Sequence, residues 1–504
     1  MALSVTGPGH LTQRQLESTL LAAANALRGP VDPGDFKAYV FPVMFFKWIS
    51  DNWDYRHAQA VKDFGDDLTD EIEADYHPFA IPDGCHWKDV HETSVNVGAK
   101  LAICLQRIQQ ANPDLAGVFG DVNWANKDRL PESALVALLD TFHGVRLDPD
   151  GVSGDMLGAA YEYLLREFAE ASGKKAGEFF TPRHVVHLLV RILDPRPGDA
   201  VADPACGSGG MLVETVTAVR DAGGDPRTLR LYGQEVNLTT AAIAKMNLYL
   251  HGLEDFKIVR GDTFRQPKLL DGAALQKFDV VIANPPFSLQ NWGAESWTKD
   301  PYGRAVCGVP PAKNGDYAWI QHMLASMADE TGRVGVVMSH GVLFRSGKEA
   351  AIRECLVKKD LLEAIVGLPR NLFYSTPIPV CLLIFRNTKP KERKDKILFI
   401  DAAGRFQAGK NQNTMSEADV EAIVAAYTRG VDIDGTGGLS LRLVEMAEIE
   451  GNGYDLNIGR YIKTETDAEA NVEGTLNAYR QAREQFLAAD AVLESRLKAA
   501  GFHG

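Results

Sequence analysis

Between about residue 152 and residue 400 the chain alternates short β-rich runs with helical stretches, and this alternation limits the fold more than any other feature. Runs at 200–203, 229–235, 257–262, 278–284, 334–339, 362–368 and 380–385 read as strands. Helical segments fit between them, among them 210–221, 239–251, 316–327 and 348–357. Strand and helix in alternation give an α/β fold built on a mainly parallel, doubly wound sheet, with ligands at the carboxyl ends of the strands.

The fourth of these strands ends in Asn284-Pro285-Pro286-Phe287. Each proline fixes its own φ near −65° and lacks a backbone N–H, and each holds the preceding residue extended. A rigid loop follows, offering an amide oxygen and backbone carbonyls as acceptors, with the flat face of Phe287 beside them. A planar substrate with an exocyclic amine suits this arrangement, its amine hydrogens on the acceptors and its ring on Phe287. Asn-Pro and Pro-Pro are also common turn signals, so the tetrapeptide takes its meaning from the ends of the neighbouring strands.

Those ends carry ligand chemistry. Asp203-Pro-Ala-Cys-Gly-Ser-Gly-Gly210 lies where the first strand gives way to a helix. Its small residues let a ligand approach the backbone, and the helix start presents free N–H groups. The second strand ends at Glu235, the place where dinucleotide-type folds hold ribose hydroxyls with an acidic side chain. The third ends in Gly261-Asp262-Thr263. One glycine-rich loop alone is an ordinary turn, but four such ends on one sheet edge define a two-substrate site. Upstream, Gly177-Glu-Phe-Phe-Thr-Pro-Arg183 leads into a helix, with Thr181 placed as its N-cap and Pro182 in its first turn. Cys206, with no base arranged for it, reads as a small packing residue, and His184, His187, His322 and His340 read as structural. No metal is implied.

The first 150 residues read as helices. One spans 11–27 and stops at Gly29-Pro30; Asp35 caps a second, 36–49, which Pro42 kinks or splits. After 400 the texture loosens, 430–438 reads as a linker, and 467–500 carries an apolar stripe at helical spacing suited to docking on a partner. The expected units are therefore 1–150, a helical domain; 151–430, a catalytic domain; and 431–504, a segment with a partner-docking helix. The stretch 302–316 reads as a long loop, with contact to DNA a further option.

Six cysteines without close spacing argue against a zinc site or disulfide framework and for a reducing cytoplasm. No apolar run approaches the ~18 residues needed to span a membrane. The formal charge of −14 is unlike that of a chain that grips a nucleic-acid backbone unaided. Basic residues gathered on one face, or a partner, must supply that affinity.

With these residues assembled, the chain resembles the modification (M) subunit of Type I restriction–modification systems, an adenine-N6 DNA methyltransferase. The resemblance covers most of the chain and is carried in order by GEFFTPR, DPACGSGG, GQE, GDT, IANPPF and GRVGVVMSHGVLFRSGKEAAIRECL. DPGDFKAYVFPVMFFKWISD and NGYDLNIGRYI flank them. It implies a class I S-adenosylmethionine-dependent methyltransferase fold with one antiparallel strand near the sheet edge, an N-terminal helical domain and a C-terminal helical tail. It implies S-adenosyl-L-methionine as methyl donor, held by Glu178, Phe179, Phe180, Thr181, Pro182, Arg183, Asp203, Gly207, Ser208, Gly209, Gly210 and Glu235, with Asp262 near the donor's adenine. It also implies two M subunits with one specificity (S) subunit that selects the sequence in double-stranded DNA, joined for cleavage by a restriction (R) subunit.

On this reading the target adenine leaves the duplex and stacks on Phe287. The Asn284 oxygen and the Pro285 carbonyl accept its two N6 hydrogens, and positioning with preorganised polarity carries the catalysis. A methyltransferase for protein glutamine amides, with related Asn-Pro-Pro chemistry, is the nearest alternative. A solitary DNA methyltransferase and a non-catalytic scaffold are the others.

Overall fold

The computed structural model describes residues 10–171, 181–373, 378–410, 412–430 and 438–462, together with 480, 481 and 483. Its strands are β1 (Ala200–Asp203), β2 (Arg230–Glu235), β3 (Phe256–Arg260), β4 (Leu270–Asp271), β5 (Ala274–Leu275), β6 (Val280–Ala283), β7 (Arg333–Ser339), β8 (Leu362–Gly367), β9 (Val380–Arg386), β10 (Lys396–Asp401) and β11 (Ser440–Glu445). β4 and β5 form a separate hairpin, and the other nine strands join one sheet in the order β11-β10-β8-β9-β7-β6-β1-β2-β3. The chain enters at β1, winds outward to β3, then crosses back to β6 on the other side of β1. The gap between β1 and β6 is thus a topological switch point, where such sheets open a crevice at their carboxyl ends.

The central strands are buried at every position, as expected for a sheet covered on both faces. Alternate side chains sort to opposite layers. Val201, Val280 and Ile282 pack with the Arg183–Leu193, Gly210–Asp221 and Glu417–Arg429 helices. Ala202, Val281 and Ala283 pack with the Asp316–Ala325 and Lys348–Lys358 helices and with Ile458–Tyr461.

Two antiparallel strands replace the one expected. β9 runs antiparallel between β7 and β8, well inside the sheet because β10 and β11 extend it, and β11 runs antiparallel to β10 at the edge. The sheet therefore continues past residue 430.

The N-terminal helices Gln13–Ala26, Phe36–Phe64, Val97–Ala111 and Glu132–His143 share a core with Gly154–Ala171. The Leu238–Leu250 helix joins this core to the sheet, turning Ile243, Met246 and Tyr249 toward it and Ala244 and Leu248 toward the strands. The Tyr161 hydroxyl donates to the Ile243 carbonyl at 3.0 Å across this junction. Of the kink or split expected at Pro42 there is no split: the Phe36–Phe64 helix runs through it and ends at Phe64, well beyond the expected 49. The proline forfeits one helical hydrogen bond, and its buried aromatic neighbours Phe41, Phe45 and Phe46 hold the helix on the core. Asp35 precedes that helix, but its side chain makes no capping bond.

Cys307 and Cys355 form a disulfide with Cα atoms 5.7 Å apart, against the expectation of no pairing. Their separation of 48 residues matches no spacing signal, and the fold brings them together by returning the 302–316 loop over the Lys348–Lys358 helix. Among the described residues no helix is long and apolar enough to cross a membrane, and no group of His, Cys, Asp and Glu side chains could hold a metal ion. The 467–500 stripe lies outside the described residues except at 480, 481 and 483.

Candidate active site

β6 carries Asn284 to the sheet edge, beside the loop that leaves β1. The Asn284 Nδ2 donates to the Thr181 hydroxyl at 2.9 Å, with Oδ1 on the other side of the amide. That Oδ1 is buried with no hydrogen-bond partner. A buried acceptor left unpaired costs roughly 1–3 kcal/mol, so it belongs to a group completed by a ligand. Thr181 therefore serves the acceptor residue rather than a helix cap. Pro182 takes the N-cap position and Arg183 is the first helical residue. Pro285 is buried, Pro286 exposed, and Phe287 half-buried against the core.

The β1 loop is held open by backbone geometry. Gly207 and Gly209 adopt φ of 53° and 79°, which β-carbons disfavour. Behind the loop, a Cβ at Gly233 would lie 2.5 Å from the Ile258 side chain and 2.9 Å from the Cys206 sulfur, so only glycine lets the loop sit down on β2. Glu235 accepts from the Gly207 N–H at 3.2 Å and the Asn237 N–H at 2.8 Å. The Thr263 hydroxyl donates to the Pro204 carbonyl at 2.6 Å, and the Gly261 N–H to the Glu235 carbonyl at 2.9 Å. The ends of β1, β2 and β3 are thereby tied into one edge.

Asp203, 2% exposed, accepts from the Ala205 N–H at 3.0 Å. Burial pushes its carboxyl up to about 8, and the nearby Glu235 carboxylate adds to the rise. Burial also raises Glu235, against the pull of the N–H groups it accepts from. The Cys206 thiol is driven well up by burial and by both carboxylates, so it offers no thiolate nucleophile. His184 and His322 are pushed down to about 4 and about 3 by burial and stay neutral.

A cavity joins these parts. Thr181, Asp203, Gly207, Ser208, Gly210 and Asn284 line it. Arg183 is exposed and Asp262 lies apart, its carboxylate accepting from the Phe264 and Arg265 N–H groups and paired with Arg265 at 2.9 Å. Glu178, Phe179 and Phe180 lie outside the described residues. Two polar residues on the cavity wall escaped the sequence reading, Glu162 and Asn247. Asn247 donates to the Ser208 carbonyl at 3.0 Å and leaves its own Oδ1 buried and unpaired. A single amide in the apolar run Leu238–Leu250 was the available signal. Glu162 carried none, being one of several acidic residues on a long helix.

Two carboxyls raised by burial, at Asp203 and Glu235, the unpaired Asn247 oxygen and a glycine cradle fit a cationic donor bearing hydroxyls and an amine, as S-adenosylmethionine does. Fold and site together define a class I S-adenosylmethionine-dependent methyltransferase.

The chain matches the N-6 DNA Methylase family model over residues 152–470 and the HsdM N-terminal domain model over 16–142, and it belongs to this family. It is 36% identical over 393 residues to the Type I restriction enzyme MjaVII methylase subunit of Methanocaldococcus jannaschii, covering 75% of this chain and 65% of that protein. It is 32% identical over 447 residues to the HindI methylase subunit of Haemophilus influenzae, covering 83% and 98%. The crystal structure of the methyltransferase subunit of a type I restriction-modification system from Streptococcus thermophilus matches with a TM-score of 0.77 at 28% identity, over 90% of this chain and 100% of that one.

Proposed function

We propose that this chain is the methylating subunit of a Type I restriction–modification complex and transfers a methyl group to the N6 amine of an adenine turned out of double-stranded DNA. The observation that carries this reading is the Asn284 oxygen, buried and unpaired at the end of β6 while its amide nitrogen is tied to Thr181. An adenine amine placed there finds an acceptor already desolvated and aimed. The Pro285 carbonyl takes the second amine hydrogen, and Phe287 takes the ring face. Both hydrogen bonds draw the nitrogen lone pair out of ring conjugation.

Asp203, Glu235, Asn247 and the Gly207–Gly210 backbone hold S-adenosylmethionine, which supplies an electrophilic methyl group when bound. The methylated amine is strongly acidic and loses its proton without a dedicated base; the acceptors at Asn284 and Pro285 lie where that proton leaves. The net charge of −14 and the apolar stripe at 467–500 support delegation of sequence choice to a specificity subunit, in an assembly of two such chains with one of it. A restriction subunit would join for cleavage, in the cytoplasm. The alternative of a protein-glutamine methyltransferase has no use for the helical unit over 16–142 that matches the family.

The test is to incubate the chain, assembled with its specificity subunit, with duplex DNA and donor, and to digest the DNA to nucleosides. N6-methyl-2′-deoxyadenosine is the expected product. N4-methylcytosine, or label confined to protein, would contradict the reading.

A further inference from the structure

Just beyond Phe287 the backbone is held in a conformation its sequence does not favour. Ser288 has φ of 53°, in the left-handed region that a residue with a β-carbon rarely adopts. Such a residue persists where its surroundings over-determine it. Here the Ser288 N–H donates to the Asp316 Oδ1 at 2.6 Å. Asp316 is fully buried at the start of the Asp316–Ala325 helix, and its second oxygen accepts from the Arg345 Nη2. The Arg345 Nε donates to the Glu349 Oε2 at 2.6 Å, and Glu349 is 3% exposed. Gly341 makes room for this, since a Cβ there would stand 2.4 Å from the Arg345 Nη1. Arg353 secures the arginine's own backbone by donating to the Arg345 carbonyl at 2.9 Å. One residue further on, the Gly315 N–H donates to the Leu289 carbonyl at 2.9 Å.

We infer that Asp316, braced by Arg345 and Glu349, is a positioning residue that clamps the trailing end of the Asn284-Pro285-Pro286-Phe287 loop and so sets the face Phe287 presents to the target base. The prolines stiffen the leading part of the loop, and Thr181 orients Asn284, but neither constrains the chain after Phe287. Asp316 does so with a charge-assisted bond to a backbone N–H, about twice as strong as a neutral one. Both partners donate to it, and an asparagine there would accept from only one of them while turning its own N–H donors toward the other, leaving that one unpaired. The inference rests on Asn284 and Phe287 as the base-handling groups. Asp316 is buried, so its substitution removes no contact with DNA.

The experiment uses the chain assembled with its specificity subunit and two duplexes, one with adenine at the target for methyl transfer and one with 2-aminopurine there for emission only, with Asp316→Asn, Arg345→Lys and Asn284→Ala compared. Asp316→Asn is expected to lower kcat by about tenfold or more, the scale of a small misplacement of reacting groups. The KM for donor and the affinity for duplex should stay within about twofold, and 2-aminopurine emission should split into several lifetimes where the parent complex shows one dominant environment. Arg345→Lys, which keeps the charge but loses the planar fork whose Nε and Nη2 reach the two carboxylates, should shift both readouts the same way, and it carries the test if Asp316→Asn does not fold. Unchanged kcat and lifetimes would overturn the clamp, as would a kcat loss matched by equal losses of thermal stability and donor affinity. Normal turnover in Asn284→Ala would instead remove the underlying reading, whereas an inactive Asn284→Ala beside a normal Asp316→Asn would remove the clamp alone.

Discussion

At the scale of single residues, the site depends on polar groups whose partners are supplied by ligands. Asp203 illustrates the consequence for pH. Its folded-state value of about 8 lies above the ~3.9 of an unfolded aspartate, so the folded chain binds that proton more tightly. The stability this contributes is fully present below about pH 4 and is lost as pH rises toward 8. Binding a cationic donor beside Asp203 favours the ionised form, so donor affinity should rise with pH across pH 6–8 and binding should release protons. Calorimetry in two buffers of different ionisation enthalpy reads this release, which should vanish in Asp203→Asn; equal heats in both buffers would refute it. Asp203, Glu235 and Asn284 were legible in the sequence because each sits in a contiguous motif at a strand end. The roles of Thr181, Asn247 and Asp316 were not, because their partners lie 103, 39 and 28 residues away and only the fold brings them within reach.

At the scale of elements, apolar runs of four or more residues reported the buried strands β1, β6, β7, β8 and β9 to within a residue or two. β10 and β11 went unread for different reasons. β10 follows the charged stretch 389–396, which masks its short apolar run, and β11 is an edge strand with one buried position, so it has little pattern to show. The helix from Phe36 was legible but read as ending at 49, and the option of a split at Pro42 does not occur, since burial of the flanking aromatics keeps the helix on the core.

The segment between β6 and the Asp316–Ala325 helix shows the same precedence of tertiary contacts. Arg304 is 2% exposed, pairs with Asp300 at 2.7 Å and donates to the Thr263 and Phe264 carbonyls, both at 2.9 Å. Its guanidinium also lies 4.5 Å from the Trp297 ring centre. Arg304→Ala strands a buried carboxylate, a loss that typically costs about 3–5 kcal/mol. Denaturant unfolding should show a drop of that size, and a loss under ~1 kcal/mol would mean the pair does not hold the segment.

At the scale of the whole molecule, the Leu238–Leu250 helix packs on both the helical N-terminal core and the sheet, and its Asn247 reaches the donor loop. The region from 467 onward carries the proposed contact with the specificity subunit. A chain truncated before Asp467 should bind donor as the parent does yet fail to co-purify with that subunit; retention of the complex would place the contact elsewhere. The acidic balance of the chain was legible from composition alone, and it pointed to a partner without showing which surface the partner covers.

The central claim is that Asn284 handles the base and not the donor. Its most direct test is donor binding and methyl transfer measured side by side for Asn284→Ala in the assembled complex. The account predicts donor affinity within about twofold of the parent and turnover lower by on the order of 10²–10³, the scale of removing one preorganised polar group. Turnover comparable to the parent's, with donor binding intact, would contradict it.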